Sequence, residues 1–278
     1  MNERARQFSL AYLTVLGNPP RDVVEMAATV GYDFVSLRLT PVTPDEPTFP
    51  FLTDPGFVRD VVKGLNETGV ALLDVELIRT DPGTSVTDFA PFVEVSAELG
   101  ARHIIAQVPE VDRSRAIDTF GALCGLAAPY GLTVDLEFIP WSPTADLDDA
   151  ADIVTKAAAP NGGVLVDTLH FSRSGSSVDQ LSDLPRELFN FIQLCDAQPM
   201  MSESSEELIR VARSDRDVAG AGIIDLVPIL NALPGVPYAL EVPNDEMRRD
   251  LGALEYASHV LQETKRFFAA VDATAAAR

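Results

Sequence analysis

The sequence predicts a single closed (βα)8 barrel of the α/β class spanning residues 1–278, and three observations point there. Eight short apolar, β-branched runs alternate with longer amphipathic stretches. The chain of 278 residues is the size of one such barrel. No repeat, low-complexity segment or linker divides it. Each unit averages about 35 residues, as a strand plus a returning helix requires. An open doubly wound sheet is the runner-up. It is set aside because no G-x-G-x-x-G turn follows the first strand and no P-loop is present.

Phe8 to Tyr12 reads as the first strand. A helix over Pro20 to Val30 follows, with proline at its start and Gly31 just past its end. Asp33 to Leu39 is the second strand and Asp54 to Glu67 its helix. Val70 to Arg79 is the third, followed by a helix over Val86 to Leu99 that Gly100 ends. His103 to Val108 is the fourth, with a helix over Arg113 to Tyr130. In the second half, the strands are Leu132–Phe138, Gly163–Asp167, Phe189–Cys195 and Tyr238–Val242. Their helices are Asp146–Ala158, a short one near Val178–Leu184, Ile223–Leu233 and a closing one over Asp245–Ala270. The alanine-rich tail from Ala270 is expected to fray. Two connections exceed what a barrel needs. Thr40 to Thr53 is stiffened by prolines, and Ala197 to Gly222 carries a helix near Ser204–Arg213. Both follow strand ends, which places them over the catalytic face of a barrel.

Bulk properties exclude several classes. With 42 acidic and 21 basic residues, the formal net charge is -21. That field repels nucleic acid and anionic membrane surfaces. Hydrophobic residues make up 46% of the chain, enough for a sizeable core, yet no run is long enough to span a bilayer. Met1 to Arg6 lacks the apolar core of a signal peptide. Cys124 and Cys195 sit far apart in apolar stretches, so they read as buried free thiols in a reducing, cytoplasmic compartment.

The chemistry concentrates at the ends of the last four strands. Each sets a polar side chain inside an apolar run: Glu137 in Asp-Leu-Glu-Phe, Asp167 in Val-Asp-Thr-Leu-His, Gln193 in Ile-Gln-Leu-Cys, and Glu241 in Leu-Glu-Val-Pro. A carboxylate inside a barrel is costly unless it is paired or metal-bound. Taken singly, such residues are often buried polar groups satisfied by arginine or backbone. Four on consecutive strands fit a cation better. Three carboxylates and an amide oxygen form an all-oxygen set suited to one Mg²⁺ or Mn²⁺, with Co²⁺ also admissible. Zinc prefers histidine or cysteine, and neither is in the set.

With this cluster, the chain resembles the xylose-isomerase-like superfamily of barrels. Its members include sugar isomerases, ketose epimerases, inosose and 3-dehydroshikimate dehydratases, and endonuclease IV. Glu137 matches the first metal glutamate, Asp167 the metal aspartate of a D-x-x-H motif, and His170 the histidine of that motif, which contacts substrate or metal water. Gln193 stands where many members carry histidine, and Glu241 matches the last metal glutamate. The stretch from Arg213 to Leu226 resembles the R-x-x-P-G-x-G-x-x-D loop, with Arg216 as its arginine. The proline of that loop is Ala219 here, and the acid between its glycines is Ala221. Endonuclease IV is set aside: it needs several histidines, and this chain has only His103, His170 and His259.

The resemblance implies a metal-dependent isomerase or epimerase of a small polyhydroxy carbonyl compound. Glu137 and Glu241 would move a proton next to a carbonyl, through a metal-stabilised enediolate. Elimination of a hydroxyl from a cyclic keto-polyol, with His170 as proton donor, is the alternative, and a non-catalytic binding barrel is the third. Arg216 is the expected substrate anchor. Arg38 and Arg79 either grip substrate or pair with Glu76 and other acids. Trp141, the only tryptophan, either walls the pocket or simply packs. Asp196 is expected just beyond the ligands, capping a loop. The resemblance also implies a homo-oligomer.

Overall fold

The structure is a computed structural model that describes residues 6–81 and 83–276. Residues 1–5 of the leader reading and 277–278 of the expected frayed tail lie outside the described residues. Eight parallel strands close into a barrel in chain order: β1 (Phe8–Leu10), β2 (Phe34–Arg38), β3 (Ala71–Arg79), β4 (His103–Gln107), β5 (Thr133–Glu137), β6 (Gly162–Asp167), β7 (Ile192–Leu194) and β8 (Tyr238–Leu240). β1 pairs with both β2 and β8, which closes the ring. The predicted fold class is the observed one.

The first half of the ring is backed by α1 (Pro20–Val30), α2 (Pro55–Thr68), α3 (Ala90–Glu98) and α4 (Arg113–Ala127). The second half carries α5 (Leu147–Ala157), α6 (Thr168–Arg173), α7 (Val178–Asp183), α8 (Ser205–Ser214), α9 (Leu226–Ala232), α10 (Asp245–Leu251) and α11 (Ala253–Ala276). Local chemistry fixes the ends. Asp54 and Asp112 accept backbone N–H bonds at the starts of α2 and α4, and Pro20 opens α1.

Several boundaries differ from the sequence reading by a few residues, as in β7, β8, α4 and α9. The stretch after Ser85 begins as a 3-10 turn over Val86–Phe89, because Pro91 lies in the first turn of α3 and supplies no N–H. The first strand ends at Leu10, and the chain tightens into a 3-10 turn over Tyr12–Val15. The closing helix divides at Gly252, whose φ is 80°. Its second part runs to Ala276 rather than fraying from Ala270, as an alanine-rich stretch favours. One helix, α6, has no counterpart in the sequence reading. It begins one residue after Asp167, and Asp167 Oδ1 caps it by accepting from the Leu169 and His170 N–H groups at 2.7 and 3.2 Å.

Alternation along each strand sorts the side chains. Val134, Leu136, Val164, Val166, Ile192, Leu194 and Leu240 face outward and join the helices in the main core. Phe34, Leu73, Ile105, Leu165, Phe191 and Ala239 form a second apolar cluster that fills the barrel's interior. The barrel is therefore plugged, and polar residues at the strand ends rest on a dry floor.

Asp74 on β3 is the outlier in this interior. The Ser36 hydroxyl donates to Oδ1 at 2.7 Å, while Oδ2 is buried without a partner. Burial, then the charge of Glu76, push its carboxyl well above the usual carboxylate range. The folded state thus keeps a proton that the unfolded chain releases near pH 4. Stability drains away as pH rises from there toward the folded pKa. Asp74→Asn removes this loss. The variant's Tm relative to wild type should rise steadily between pH 4 and pH 8, and a pH-independent difference in calorimetry would refute the assignment.

Candidate metal and substrate site

Strand register brings the polar residues together. Glu137 pairs with Leu165, Asp167 with Gln193, and Gln193 with Ala239. Glu137, Asp167, Gln193 and Glu241 are each the next inward-facing residue above that floor or at its level. Together with His170 and Arg216 they are all buried. They line one cavity of about 210 Å³, except Asp167, which lies behind Arg216 and His170.

Arg216 organises the group. Its Nη1 donates to Asp167 Oδ2 at 2.5 Å and its Nη2 lies 2.9 Å from Glu241 Oε2. Its Nε donates to the Ala212 carbonyl at 2.8 Å, which fixes the fork to the end of α8. One guanidinium therefore offsets two buried carboxylates. Gln193 Nε2 donates to Glu241 Oε1 at 3.0 Å, so both oxygens of Glu241 are engaged. Gln193 Oε1 is left buried with no partner.

Glu137 is held from the other side. The Gln107 amide donates to Glu137 Oε2, and Gln107 Oε1 in turn accepts from Arg79 Nε at 2.8 Å and Nη2 at 2.5 Å. Glu137 Oε1 faces His170 Nε2 at 3.9 Å. His170 Nδ1 is also buried without a partner. Trp141 meets the His170 ring edge-on, 5.3 Å between centroids, and walls the cavity.

Each charge responds to its setting. Burial, then the Asp167 charge, push Glu137 up to about 7. Burial pushes the His170 imidazolium down to about 4, so the ring is neutral near pH 7. Burial alone would raise Asp167, but Arg216 and the backbone N–H groups of α6 outweigh it and hold the carboxyl below its ordinary value. Burial leaves Glu241 well above the usual range despite Arg216.

Ligand atoms of Glu137, Asp167 and His170 lie within 4.8 Å of one another. The structure thus gathers two of the four sequence-predicted ligands, Glu137 and Asp167, around His170. It sets Gln193 and Glu241 beside them, tied in through Arg216. An imidazole in the donor set removes the ground on which zinc was set aside. Two unpartnered buried polar atoms, on His170 and Gln193, and this mixed donor set fit a divalent ion.

The arginines divide. Arg38 is ion-paired with Glu76 at 2.5 Å and Glu46 at 2.9 Å, and Arg216 with Asp167 and Glu241. Among the described residues, the Arg79 side chain hydrogen-bonds only to the neutral Gln107. Sequence reasoning passed over Gln107, Glu46 and Arg213, and it named Glu76 only as a partner for arginine. Glu76 and Gln107 carry the signal used for the later strands, a polar side chain at the end of an apolar run. Glu46 and Arg213 lie on the two long connections and have no such pattern. Val42, Thr43, Asp45 and Glu46 from one connection, and Ala212, Arg213 and Arg216 from the other, line the cavity. Asp196 caps the second, accepting from the N–H groups of Ala197, Ile224 and Gly220 at 2.8, 2.9 and 3.1 Å. A side chain at Gly222 would overlap Ala197 and Asp196, so only glycine fits there.

Known proteins place this geometry in context. The sequence pattern described as "Xylose isomerase-like TIM barrel" matches residues 24–266. An inosose isomerase of Bacillus velezensis is 24% identical over 260 residues, 87% of this chain and 86% of that protein. Its counterpart in Bacillus subtilis is 24% identical over 191 residues, 65% of this chain and 66% of that protein. A 3-dehydroshikimate dehydratase of Pseudomonas aeruginosa is 29% identical over 136 residues, 47% of this chain but only 21% of that longer protein. Among solved structures, the IOLI protein with a bound zinc atom superposes with a TM-score of 0.79 at 20% identity, over 93% of this chain and 96% of that one. A D-allulose 3-epimerase from Methylomonas sp. in complex with D-allulose gives a TM-score of 0.67 at 16% identity, over 94% and 96%. These likenesses at low identity show the fold, and the sequence match over most of the chain shows the lineage: the protein belongs to the xylose isomerase-like TIM barrel family.

Proposed function

We propose that this protein is a divalent-metal-dependent isomerase or epimerase of a small sugar or polyhydroxy carbonyl compound. The observation that carries the reading is the convergence of Glu137, His170 and Glu241 on one cavity, with Asp167 behind them in ligand range of Glu137 and His170 and two buried polar atoms unpartnered among the described residues. Glu137, Asp167 and His170 would hold the ion, with Gln193 Oε1 and Glu241 as further donors. Mn²⁺ and Mg²⁺ suit the carboxylates, and Zn²⁺ and Co²⁺ suit the same set with its imidazole. The zinc in the IOLI structure and the isomerase and epimerase names of the relatives support this reading. A bound ion would polarise the substrate carbonyl and offset the negative charge left by proton removal.

The chain's own residues handle the proton. Glu137 is the better base: Gln107 fixes one of its oxygens and leaves Oε1 toward the cavity. Its value near 7 lets it take and release a proton at neutral pH. Glu241 stands just past the end of β8, with β6 and β7 between β8 and β5 in the ring. It is the second proton carrier at the cavity, its two oxygens held by Arg216 and Gln193. Return of the proton to the neighbouring carbon gives an isomerase, and return to the same carbon from the other face gives an epimerase. His170 is neutral near pH 7, so it is a poor proton donor to a leaving hydroxyl. The dehydratase relative nevertheless keeps elimination as the second reading, with protonated Glu241 as the donor.

The test is incubation with a panel of ketoses and inososes in D2O, followed by NMR and ultraviolet absorbance. Deuterium uptake at a carbon beside the carbonyl without loss of water is the expected result. A new conjugated absorbance would favour elimination, and no exchange on any substrate would leave the binding barrel. Treatment with a chelator should abolish turnover, and Mn²⁺, Mg²⁺, Co²⁺ or Zn²⁺ should restore it; full activity in metal-free protein would refute the metal role. Glu241→Gln should lower kcat by roughly 10²–10⁴-fold while the far-ultraviolet circular dichroism stays that of wild type. An unchanged kcat would remove Glu241 from the mechanism.

A further inference from the structure

Two arginines at this cavity stand apart from the rest of the molecule's charge. The chain carries twice as many acidic as basic residues, 42 against 21. Its arginines mostly find carboxylates, as Arg21, Arg38, Arg113, Arg115, Arg210 and Arg216 do. Arg59, Arg79, Arg102, Arg173, Arg186 and Arg213 do not, and of these only Arg79 and Arg213 line this cavity. Among the described residues, no carboxylate lies in ion-pair range of either. Arg79 donates through Nε and Nη2 to one neutral oxygen, Gln107 Oε1. The Arg213 side chain makes no hydrogen bond to any described residue. Both are half-buried and both line the cavity that holds Glu137, His170 and Glu241. They come from opposite parts of the fold, Arg79 from the end of β3 and Arg213 from α8 on the long connection after β7.

This pairing is costly without a ligand. Two like charges share a partly desolvated space: burial disfavours the charge of Arg79, Glu137 offsets part of this, and the Arg213 charge adds to it. Asp45, Glu46, Glu76, Glu137 and Glu241 line the same cavity, and none of them is ion-paired with either arginine. Arg38, on the same wall, is already saturated by Glu46 and Glu76 and has no charge to spare.

We infer that Arg79 and Arg213 form an anion subsite, and that the substrate is a small polyhydroxy carbonyl compound bearing an oxyanion group, a carboxylate or a phosphate. The inference rests on the cavity being the substrate site, as proposed above. The two guanidinium groups would take the anionic end of the molecule while the carbonyl end lies toward Glu137 and Glu241. A forked guanidinium suits either oxyanion. Local cations are also needed for any anionic substrate to enter, because the field of a chain with formal net charge -21 opposes it. The cavity, about 210 Å³, admits a molecule smaller than a typical drug-sized ligand.

Calorimetric titration of the purified full chain with D-glucose, D-glucuronate and D-glucose 6-phosphate tests this, in the presence of chelator so that no metal contributes to anion binding. The expected result is that at least one anion binds about ten-fold tighter than D-glucose, or saturates where D-glucose does not. The tighter of the two identifies the carboxylate or the phosphate as the preferred group. Arg213→Gln and, separately, Arg79→Gln should each abolish most of that preference. Arg249→Gln, exposed on α10 and away from the cavity lining, should change nothing. Equal affinity for all three sugars overturns the subsite, as does failure of both anions to saturate at about 10 mM. So does a preference that survives both substitutions. A protein that exchanges protons on neutral ketoses without anion preference loses the subsite and keeps the proposed reaction. One that prefers the anion but exchanges no proton loses the reaction and keeps the subsite.

Discussion

The fork of Arg216 across Asp167 and Glu241 is the interaction on which the rest of the site depends. Three carboxylates and a histidine are buried above an apolar floor, where unpaired charge is expensive. A single guanidinium, itself almost fully buried, satisfies one oxygen of Asp167 and one of Glu241 and is tied to the backbone of α8. It thereby divides the acids into two kinds. Asp167 is held ionised by Arg216 and the first N–H groups of α6. Glu137 and Glu241 are pushed toward the protonated form by burial. One set of residues of the same chemical type thus offers both a fixed negative charge and groups able to exchange protons.

The supporting layer extends this division outward. Gln107 is locked by Arg79 on its oxygen and offers its amide to Glu137, which orients that carboxylate without adding charge. Gln193 does the same for Glu241. A neutral amide holds each proton carrier, and Glu241 in addition shares Arg216 with the fixed acid. On the opposite wall, Ser36, Arg38, Glu46 and Glu76 form a closed hydrogen-bonded set whose charges are largely spent on one another. The wall is consequently rigid and polar.

Much of this was legible in the sequence, and the reasons it was can be stated. Eight alternations of β-branched and amphipathic segments suffice for the barrel, because a strand buried on both sides reads as a continuous apolar run. A polar residue breaking such a run is conspicuous, which is why Glu137, Asp167, Gln193 and Glu241 stood out. The grouping of His170 with Glu137 and Asp167 was harder to see. It depends on α6 starting immediately after β6, and a six-residue helix leaves little periodic trace. That Arg216 would bridge two acids, and that Arg213 would be left without a partner, was not readable at all. Both sit on a connection whose path is set by tertiary contacts around Asp196, not by local pattern.

Asp196 therefore reaches further than its own position. By gathering backbone N–H groups from both ends of the 197–224 excursion, it cinches that excursion like a drawstring against the rim of β7. The segment so tied carries Arg213 and Arg216. Slackening at one carboxylate remote from the reacting carbon would swing two guanidinium groups out of register together, so the barrel could stay intact while the pocket lost its definition.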